Sequence, residues 1–112
     1  MPNNSPSLDE VFHSLSDPTR RSVLERLSSG PATVSQLAKE FPISLPSFLQ
    51  HLSVLESCNL VSSSKKGRVR TFEIQTKSLK QAESWLSEQR LFWEKRLNQL
   101  DNFLRSQKEK NK

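Results

Sequence analysis

Apolar residues recur every three or four positions along most of this 112-residue chain, a spacing that predicts amphipathic helices. Residues that favour helix ends divide the pattern into segments. Ser7 and Glu10 form a predicted capping box, and Asp17 with Pro18 suits the start of a second helix that a Gly-Pro pair at 30–31 ends. The apolar face of the first helix consists of Leu8, Val11, Phe12 and Leu15.

Two further helices are predicted in close succession. Thr33 and Gln36 form another capping box, and Pro42 ends this short helix because the residue before a proline avoids the helical conformation. The next helix spans about Ser44–Ser57 and is terminated by Asn59. Its predicted buried stripe consists of Phe48, Leu52 and Leu55.

The period then changes from helical spacing to alternation. An extended run opens at Leu60, a turn falls at Lys66 and Gly67, and residues 68–75 alternate between two faces. Alternation on both sides of a glycine turn predicts a β-hairpin.

A long C-terminal helix is predicted from Ser78, which forms a third capping box with Gln81, to about Gln107. We expect residues 1–6 to form a flexible arm, 7–107 one domain and 108–112 a frayed tail. The predicted fold class is therefore mainly α with a small β-hairpin: a winged helix-turn-helix of five helices plus a two-stranded wing.

This order of elements predicts a DNA-binding site. Two short helices with a tight joint around Pro42 make a helix-turn-helix, whose second helix enters the major groove, and the basic hairpin after it is the wing. The predicted contacts of the recognition helix are Ser44, Leu45, Ser47, Leu49, Gln50 and His51. Those of the wing are Lys65, Lys66, Arg68 and Arg70.

The recognition helix carries no Lys or Arg over residues 44–55, so it is predicted to contact bases rather than to attract phosphates. Gln50 has the donor and acceptor that pair with adenine, and the two leucines can meet thymine methyl groups. The alternative for Ser47, Gln50 and His51 is an ordinary solvated or capping role. Phosphate attraction must come from the wing and from residues elsewhere, for which the candidates are Arg20, Arg21 and Lys39.

Net charge and hydropathy indicate an acidic partner and a second copy of the chain. The net charge of +5 favours an acidic partner, but residues 1–76 contain 8 Lys/Arg against 7 Asp/Glu and residues 77–112 contain 9 against 5, so charge alone does not locate the DNA site. With 33% apolar residues and a mean hydropathy of -0.66, one chain has a thin core, while the long helix has surplus apolar surface. We expect a homodimer whose interface consists of Leu8, Phe12, Leu15, Leu86, Trp93, Leu97, Leu100 and Leu104.

Four runs of the sequence resemble the ArsR/SmtB family of winged-helix repressors: LSDPTRRSVLERL, TVSQLAKEFPISLPSFLQHLSVLESCNLV, KKGRVRTFEI and WLSEQRLFWEKRLNQLDNFL. They cover about Leu8 to Leu104 in the family's order and are most similar to a branch with a Trp- and Phe-rich C-terminal helix. The resemblance implies a homodimer that binds an inverted repeat in double-stranded DNA and represses transcription, with release by metal or another signal in many members. The chain departs from the family at Leu49, where a small polar residue is common, and it lacks the Cys-x-Cys metal motif.

The sequence is also compatible with two other functions. A winged-helix module that binds a protein partner is one alternative, motivated by Leu45 and Leu49, and a metal or redox sensor of the same family is another. We predict no metal site and no cofactor, because His13, His51 and Cys58 are few and far apart, and we interpret Cys58 as a packing residue. Trp85, Phe92 and Trp93 belong either to the dimer core or to an effector pocket, and no effector is indicated.

Two broader classes are not expected. We do not expect an enzyme, because the sequence offers no glycine-rich phosphate loop and no nucleophile with an identifiable base. A lone cysteine, no long apolar run and no secretion signal predict a cytoplasmic protein without a membrane span.

Overall fold

The computed structural model describes residues 6–110, which form five helices and three strands. In chain order these are α1 (Leu8–Leu15), α2 (Pro18–Leu27), β1 (Ala32–Thr33), α3 (Val34–Ala38), α4 (Leu45–Ser57), β2 (Val61–Lys66), β3 (Val69–Ile74) and α5 (Lys77–Lys110). The predicted winged helix-turn-helix fold is confirmed. Residues 1–5 of the predicted arm and 111–112 of the predicted tail lie outside the described residues. The helix α5 includes residues 108–110, where a frayed tail is predicted, because Lys and Glu are good helix formers.

The sheet has three strands, one more than predicted. Its order is β1-β3-β2, and both pairings are antiparallel. The additional strand contributes only Ala32 and Thr33, opposite Phe72 and Thr71. Two residues are too few to produce an alternating pattern, so sequence periodicity could not reveal β1. This strand ties the start of the helix-turn-helix to the wing, since Thr33 is also the N-cap of α3.

Positive backbone φ angles mark two of the predicted turns. Gly67 has φ 62° at the first position of the two-residue turn between Lys66 and Val69, where a hairpin favours glycine. Asn59 has φ 57° just after α4, and the N–H of Leu60 donates to the carbonyl of Leu55 at 3.0 Å. The predicted helix terminator is thus confirmed.

The predicted caps are partly confirmed. Thr33 and Gln36 form the complete box, whereas the Ser7 hydroxyl accepts from the N–H of Glu10 without the reciprocal bond. The box predicted at Ser78 is wrong. Lys77 begins α5, and the buried Ser78 hydroxyl donates to the carbonyl of Cys58 at 2.8 Å, so it fixes α5 to the end of α4 instead of capping.

The chain divides into two units after Ala82. The first contains the hydrophobic core, which collects side chains from α1 to α4, the sheet and the first turns of α5. The second is the rest of α5 from Glu83 onward. The most deeply buried large side chains of the first unit include Phe48, Leu27, Leu37, Leu52, Leu55 and Leu60.

Candidate nucleic-acid interface

The recognition helix α4 is anchored by the predicted apolar stripe. Phe48, Leu52 and Leu55 are each at most 1% exposed. The ring of Phe41, from the turn before α4, packs on Phe48 with 5.2 Å between centroids. Because one side of α4 is held in the core, the opposite side is presented to solvent in a fixed orientation.

The joint between the two helices of the helix-turn-helix is longer than predicted. The short helix α3 ends at Ala38, so Phe41 lies in the turn and not on the helix. The N–H groups of Glu40 and Phe41 donate to carbonyls three residues back, a tightening typical of a helix end, and Pro42 then keeps Phe41 out of the helical conformation.

The predicted DNA contacts of α4 fall into two groups. Leu45 and Leu49 are 52% and 43% exposed, and Leu49 lines a groove shared with the wing. Ser47, Gln50 and His51 line a separate depression beside Arg20 of α2. The recognition helix therefore presents an apolar edge toward the wing and a polar edge toward α2.

The wing side of the groove is basic. Lys65 and Arg70 are directly opposite each other on β2 and β3, and both line the groove with Arg68 and Leu49. Like charges directly opposite on neighbouring strands repel, so this arrangement favours an anionic partner. Lys66 is exposed on the hairpin but does not line the groove.

A chain of hydrogen bonds connects the wing to α4. The guanidinium of Arg70 donates to the hydroxyl of Ser63 at 3.0 Å, and that hydroxyl donates to the carboxylate of Glu56 near the end of α4. The wing arginine is thus oriented by the recognition helix.

The two predicted serines differ in availability. Ser44 is the N-cap of α4: its hydroxyl oxygen accepts from the N–H of Ser47, and its hydroxyl donates to the hydroxyl oxygen of Ser47 at 3.0 Å. Both side chains are exposed. Ser44 has an internal role as a cap, whereas the Ser47 hydroxyl keeps its own hydrogen for an external acceptor.

His51 is held by α2 instead of being freely exposed. Its side chain is 24% exposed, and its Nδ1 lies 3.1 Å from Nη1 of Arg20. Arg20 is itself only 8% exposed, and it donates from Nε to the carbonyl of Ser14 at 2.8 Å and from Nη2 to that of His13 at 3.1 Å. Each of its three nitrogens thus donates inside the fold, which leaves little of the Arg20 side chain exposed for the predicted phosphate contact.

Asp17 completes this cluster as the N-cap of α2. Its carboxylate accepts from the backbone N–H of Arg20 at 3.0 Å. This hydrogen bond is the main reason that the pKa of Asp17 is lowered, with the charges of His51 and Arg20 acting in the same direction and desolvation opposing them.

Replacing Asp17 with alanine is expected to lower the free energy of unfolding by about 1 kcal/mol at neutral pH, because the N-cap acceptor is removed. Asparagine caps about as well, so Asp17→Asn is the matched control. Since the folded pKa lies below the ordinary carboxyl value, the carboxylate's contribution is present at neutral pH and is lost as the pH falls through the folded pKa. Urea unfolding at neutral pH and at about pH 3 measures both effects. An alanine variant as stable as wild type at neutral pH contradicts the capping role.

The predicted dimer residues fall into two classes. Leu8, Phe12 and Leu15 are partly buried and pack against the core of the first unit. The α5 residues of the set are exposed in the single chain by 51–60%: Leu86, Trp93, Leu97, Leu100 and Leu104. A helix with this much exposed apolar surface is typical of an interaction surface.

Cys58 lies in the core, 4% exposed, with Sγ 2.8 Å from the hydroxyl oxygen of Ser14 and 3.4 Å from the carbonyl of Glu10. Within residues 6–110, no three His, Cys, Asp or Glu side chains come together as a metal site. No helix in the same range is long and apolar enough to cross a membrane.

Sequence reasoning missed several residues of this interface. Glu56 and Ser63 orient a wing arginine predicted to bind DNA, Asp17 lies 3.7 Å from Nδ1 of His51, and Val69 is 51% exposed in the groove. Only Asp17 left a signal, as an N-cap. The other contacts join residues from different elements, and no local pattern reports them.

Comparisons with known proteins identify the family. A helix-turn-helix domain model matches residues 15–63. The chain is 34% identical over 79 residues to the transcriptional repressor SdpR of Bacillus subtilis (strain 168), covering 70% of this chain and 88% of that protein. The chain is therefore related to helix-turn-helix transcription regulators.

Solved structures agree with this assignment. An ArsR family transcriptional regulator is 47% identical, with a TM-score of 0.75 over 80% of this chain and 96% of that one. An ArsR-like transcriptional regulator from Rhodococcus sp. RHA1 is 31% identical, with a TM-score of 0.78 over 88% of this chain and 91% of that one. The chain belongs to the ArsR family of winged helix-turn-helix transcription regulators. It is therefore a DNA-binding transcription regulator and not an enzyme.

Proposed function

We propose that this ArsR-family regulator is a homodimeric repressor that binds an inverted-repeat operator. The observation that carries the proposal is that one chain combines an exposed, core-anchored recognition helix and a basic wing with an exposed apolar stripe on α5. Repression follows the similar SdpR, whose name describes a transcriptional repressor.

The α5 stripe supports the homodimer. Its positions, Leu86, Trp93, Leu97, Leu100 and Leu104, are spaced by seven, four, three and four residues and so follow one side of the helix. A second copy of the same helix is apolar at the same positions, as a two-fold interface requires. Such a dimer would present two recognition helices to DNA, and their separation by about one helical turn would place each in a half-site.

At each half-site, the two edges of α4 and the wing would make different contacts with DNA. Ser47, Gln50 and His51 are the proposed base contacts of the polar edge, and Leu45 and Leu49 would meet thymine methyl groups. Lys65, Arg68 and Arg70 would contact phosphates from the wing, with Lys66 adding charge nearby. Because α4 itself has no cation in residues 44–55, affinity depends on the wing and on the second subunit.

Replacing Gln50 with alanine is expected to change base preference while leaving the salt dependence of binding unaltered. Removing a bidentate hydrogen-bonded pair with a base costs about 1–3 kcal/mol at its own position and nothing elsewhere. Electrophoretic mobility shifts on the protein's own upstream region, followed by selection from a randomised half-site, measure this. Ser53→Gln is the control for an altered helix surface, because Ser53 is exposed on α4 and lines neither the groove beside the wing nor the depression beside Arg20. Failure of the wild-type protein to shift any such DNA at low salt would contradict the proposed function.

Exposed Leu45 and Leu49 also suit a second candidate, docking of a partner protein on the same helix. The two functions differ in which residues binding requires. DNA binding requires Arg68 and Arg70, whereas an apolar protein contact would require Leu49 and tolerate loss of the wing arginines.

A further inference from the structure

The contact between Arg20 and His51 has only one chemically allowed direction. Nη1 of Arg20 lies 3.1 Å from Nδ1 of His51. A guanidinium donates hydrogen bonds and accepts none, and it keeps its protons at any ordinary pH. Nδ1 of His51 must therefore be the acceptor, so the proton of the neutral ring is on Nε2.

Asp17 does not compete with Arg20 for Nδ1 of His51. Its Oδ2 lies 3.7 Å from the same Nδ1, beyond hydrogen-bond distance, and it would attract that nitrogen only if the ring were protonated there. The shorter contact, from a donor that cannot reverse its role, determines the tautomer. Arg20 is well placed to impose it, because its other two nitrogens are fixed on the carbonyls of Ser14 and His13.

The protonated nitrogen of His51 reaches the surface. Among the described residues Nε2 has no hydrogen-bond partner, yet no buried side-chain nitrogen or oxygen in that range lacks one, so Nε2 is accessible to solvent. His51 lines the depression that Ser47 and Gln50 also border. The ring therefore presents a donor on the polar edge of the recognition helix.

We propose that Arg20 is a positioning residue that fixes His51 as an Nε2–H donor, so that His51 contacts only hydrogen-bond acceptors on DNA. This inference rests on the proposed function and adds to it the chemical class of the His51 contact. The acceptor is an oxygen or nitrogen such as guanine O6 or N7, thymine O4 or a phosphate oxygen. The exocyclic amino groups of cytosine and adenine are excluded, since they donate.

Nitrogen-15 NMR of the full-length protein labelled at histidine tests the tautomer without DNA. The chain has two histidines, so His13→Gln assigns the signals. At a pH where the shifts report a neutral ring, we expect His51 to carry its proton on Nε2 alone. A ring protonated on Nδ1, or a mixture of both tautomers, would overturn the proposal.

A matched pair of variants tests the DNA contact. Glutamine and methionine are similar in length, but only glutamine offers an N–H near the position of Nε2. We expect His51→Met to lose about tenfold or more in operator affinity, and His51→Gln to retain most of the wild-type affinity. A shifted preference at one position of each half-site identifies a base acceptor, and an equal loss on every sequence identifies a phosphate. Equal affinities for the two variants would overturn the proposal.

Arg20→Gln tests the positioning role, with Arg20→Lys as the variant that keeps a cationic donor. We expect folded Arg20→Gln to show both tautomers of His51 and to lose operator affinity in proportion to the fraction of rings that no longer donate from Nε2, about twofold for equal populations, and lysine to restore much of both. A folded Arg20→Gln with wild-type tautomer and affinity would overturn the role of Arg20. If Arg20→Gln does not fold, the tautomer of the wild-type protein and the comparison of His51→Met with His51→Gln still test the proposal. If the wild type binds no DNA, the proposed function fails while the tautomer result stands.

Discussion

Replacing Arg68 and Arg70 together with alanine is expected to weaken binding to every DNA sequence, by on the order of 100-fold at about 0.15 M salt. These two guanidiniums carry much of the charge of the groove beside Leu49, and the recognition helix has no cation of its own over residues 44–55. A dimer loses four such groups. The slope of log affinity against log salt should therefore become shallower by about 0.9 for each phosphate that the variant no longer neutralises.

The matched control is a double alanine variant at Lys95 and Arg105 of α5. It removes the same charge from exposed positions that lie off the apolar stripe of the proposed dimer interface. We expect its affinity and salt slope to stay close to wild type. Equal losses for the two double variants would mean that net charge, and not the wing, attracts the DNA.

Replacing Leu97 with glutamate is expected to convert the proposed dimer to monomer and to lower operator affinity by on the order of 1,000-fold. Leu97 is 60% exposed in the single chain and lies in the middle of the α5 stripe. In a symmetric dimer the substitution places a carboxylate from each chain in an apolar interface, where burying a charge without a partner is costly. A monomer also loses the gain in affinity that comes from linking two half-sites.

Asn102→Glu adds the same charge to an exposed position on the other side of α5 and is the control. Sedimentation equilibrium measures the molecular mass of each variant, and mobility shift measures its affinity. A wild-type protein that is monomeric at micromolar concentration, or a Leu97→Glu variant that stays dimeric, would contradict the proposed interface.

Much of the fold was predictable because its signals are local. Thr33 with Gln36, Asp17 with Pro18, and Asn59 each mark a helix end by chemistry within a few residues. The exceptions have tertiary causes. Ser78 has the spacing of a cap but donates to Cys58, twenty residues earlier, and β1 is too short to alternate.

The candidate interface was predictable only in outline. The positions of Leu49 and Gln50 on the exposed side of α4 follow from helical spacing, and the structure places both at the surface. Spacing does not show which hydrogen-bond donors and acceptors of each polar side chain are free to contact DNA. Arg20 looks like a surface cation in sequence, yet each nitrogen of its guanidinium donates within the fold, to Ser14, His13 and His51. Whether a donor is free depends on contacts between α1, α2 and α4.

We propose that a two-fold dimer places two copies of α4 on an inverted repeat. Selection of bound sequences from a random DNA pool by the full-length protein tests it most directly, since one experiment yields the half-site, its spacing and its symmetry. We expect two inverted half-sites whose centres lie about one helical turn apart, or a multiple of it. Enrichment of a single half-site, of a direct repeat or of no sequence would contradict it.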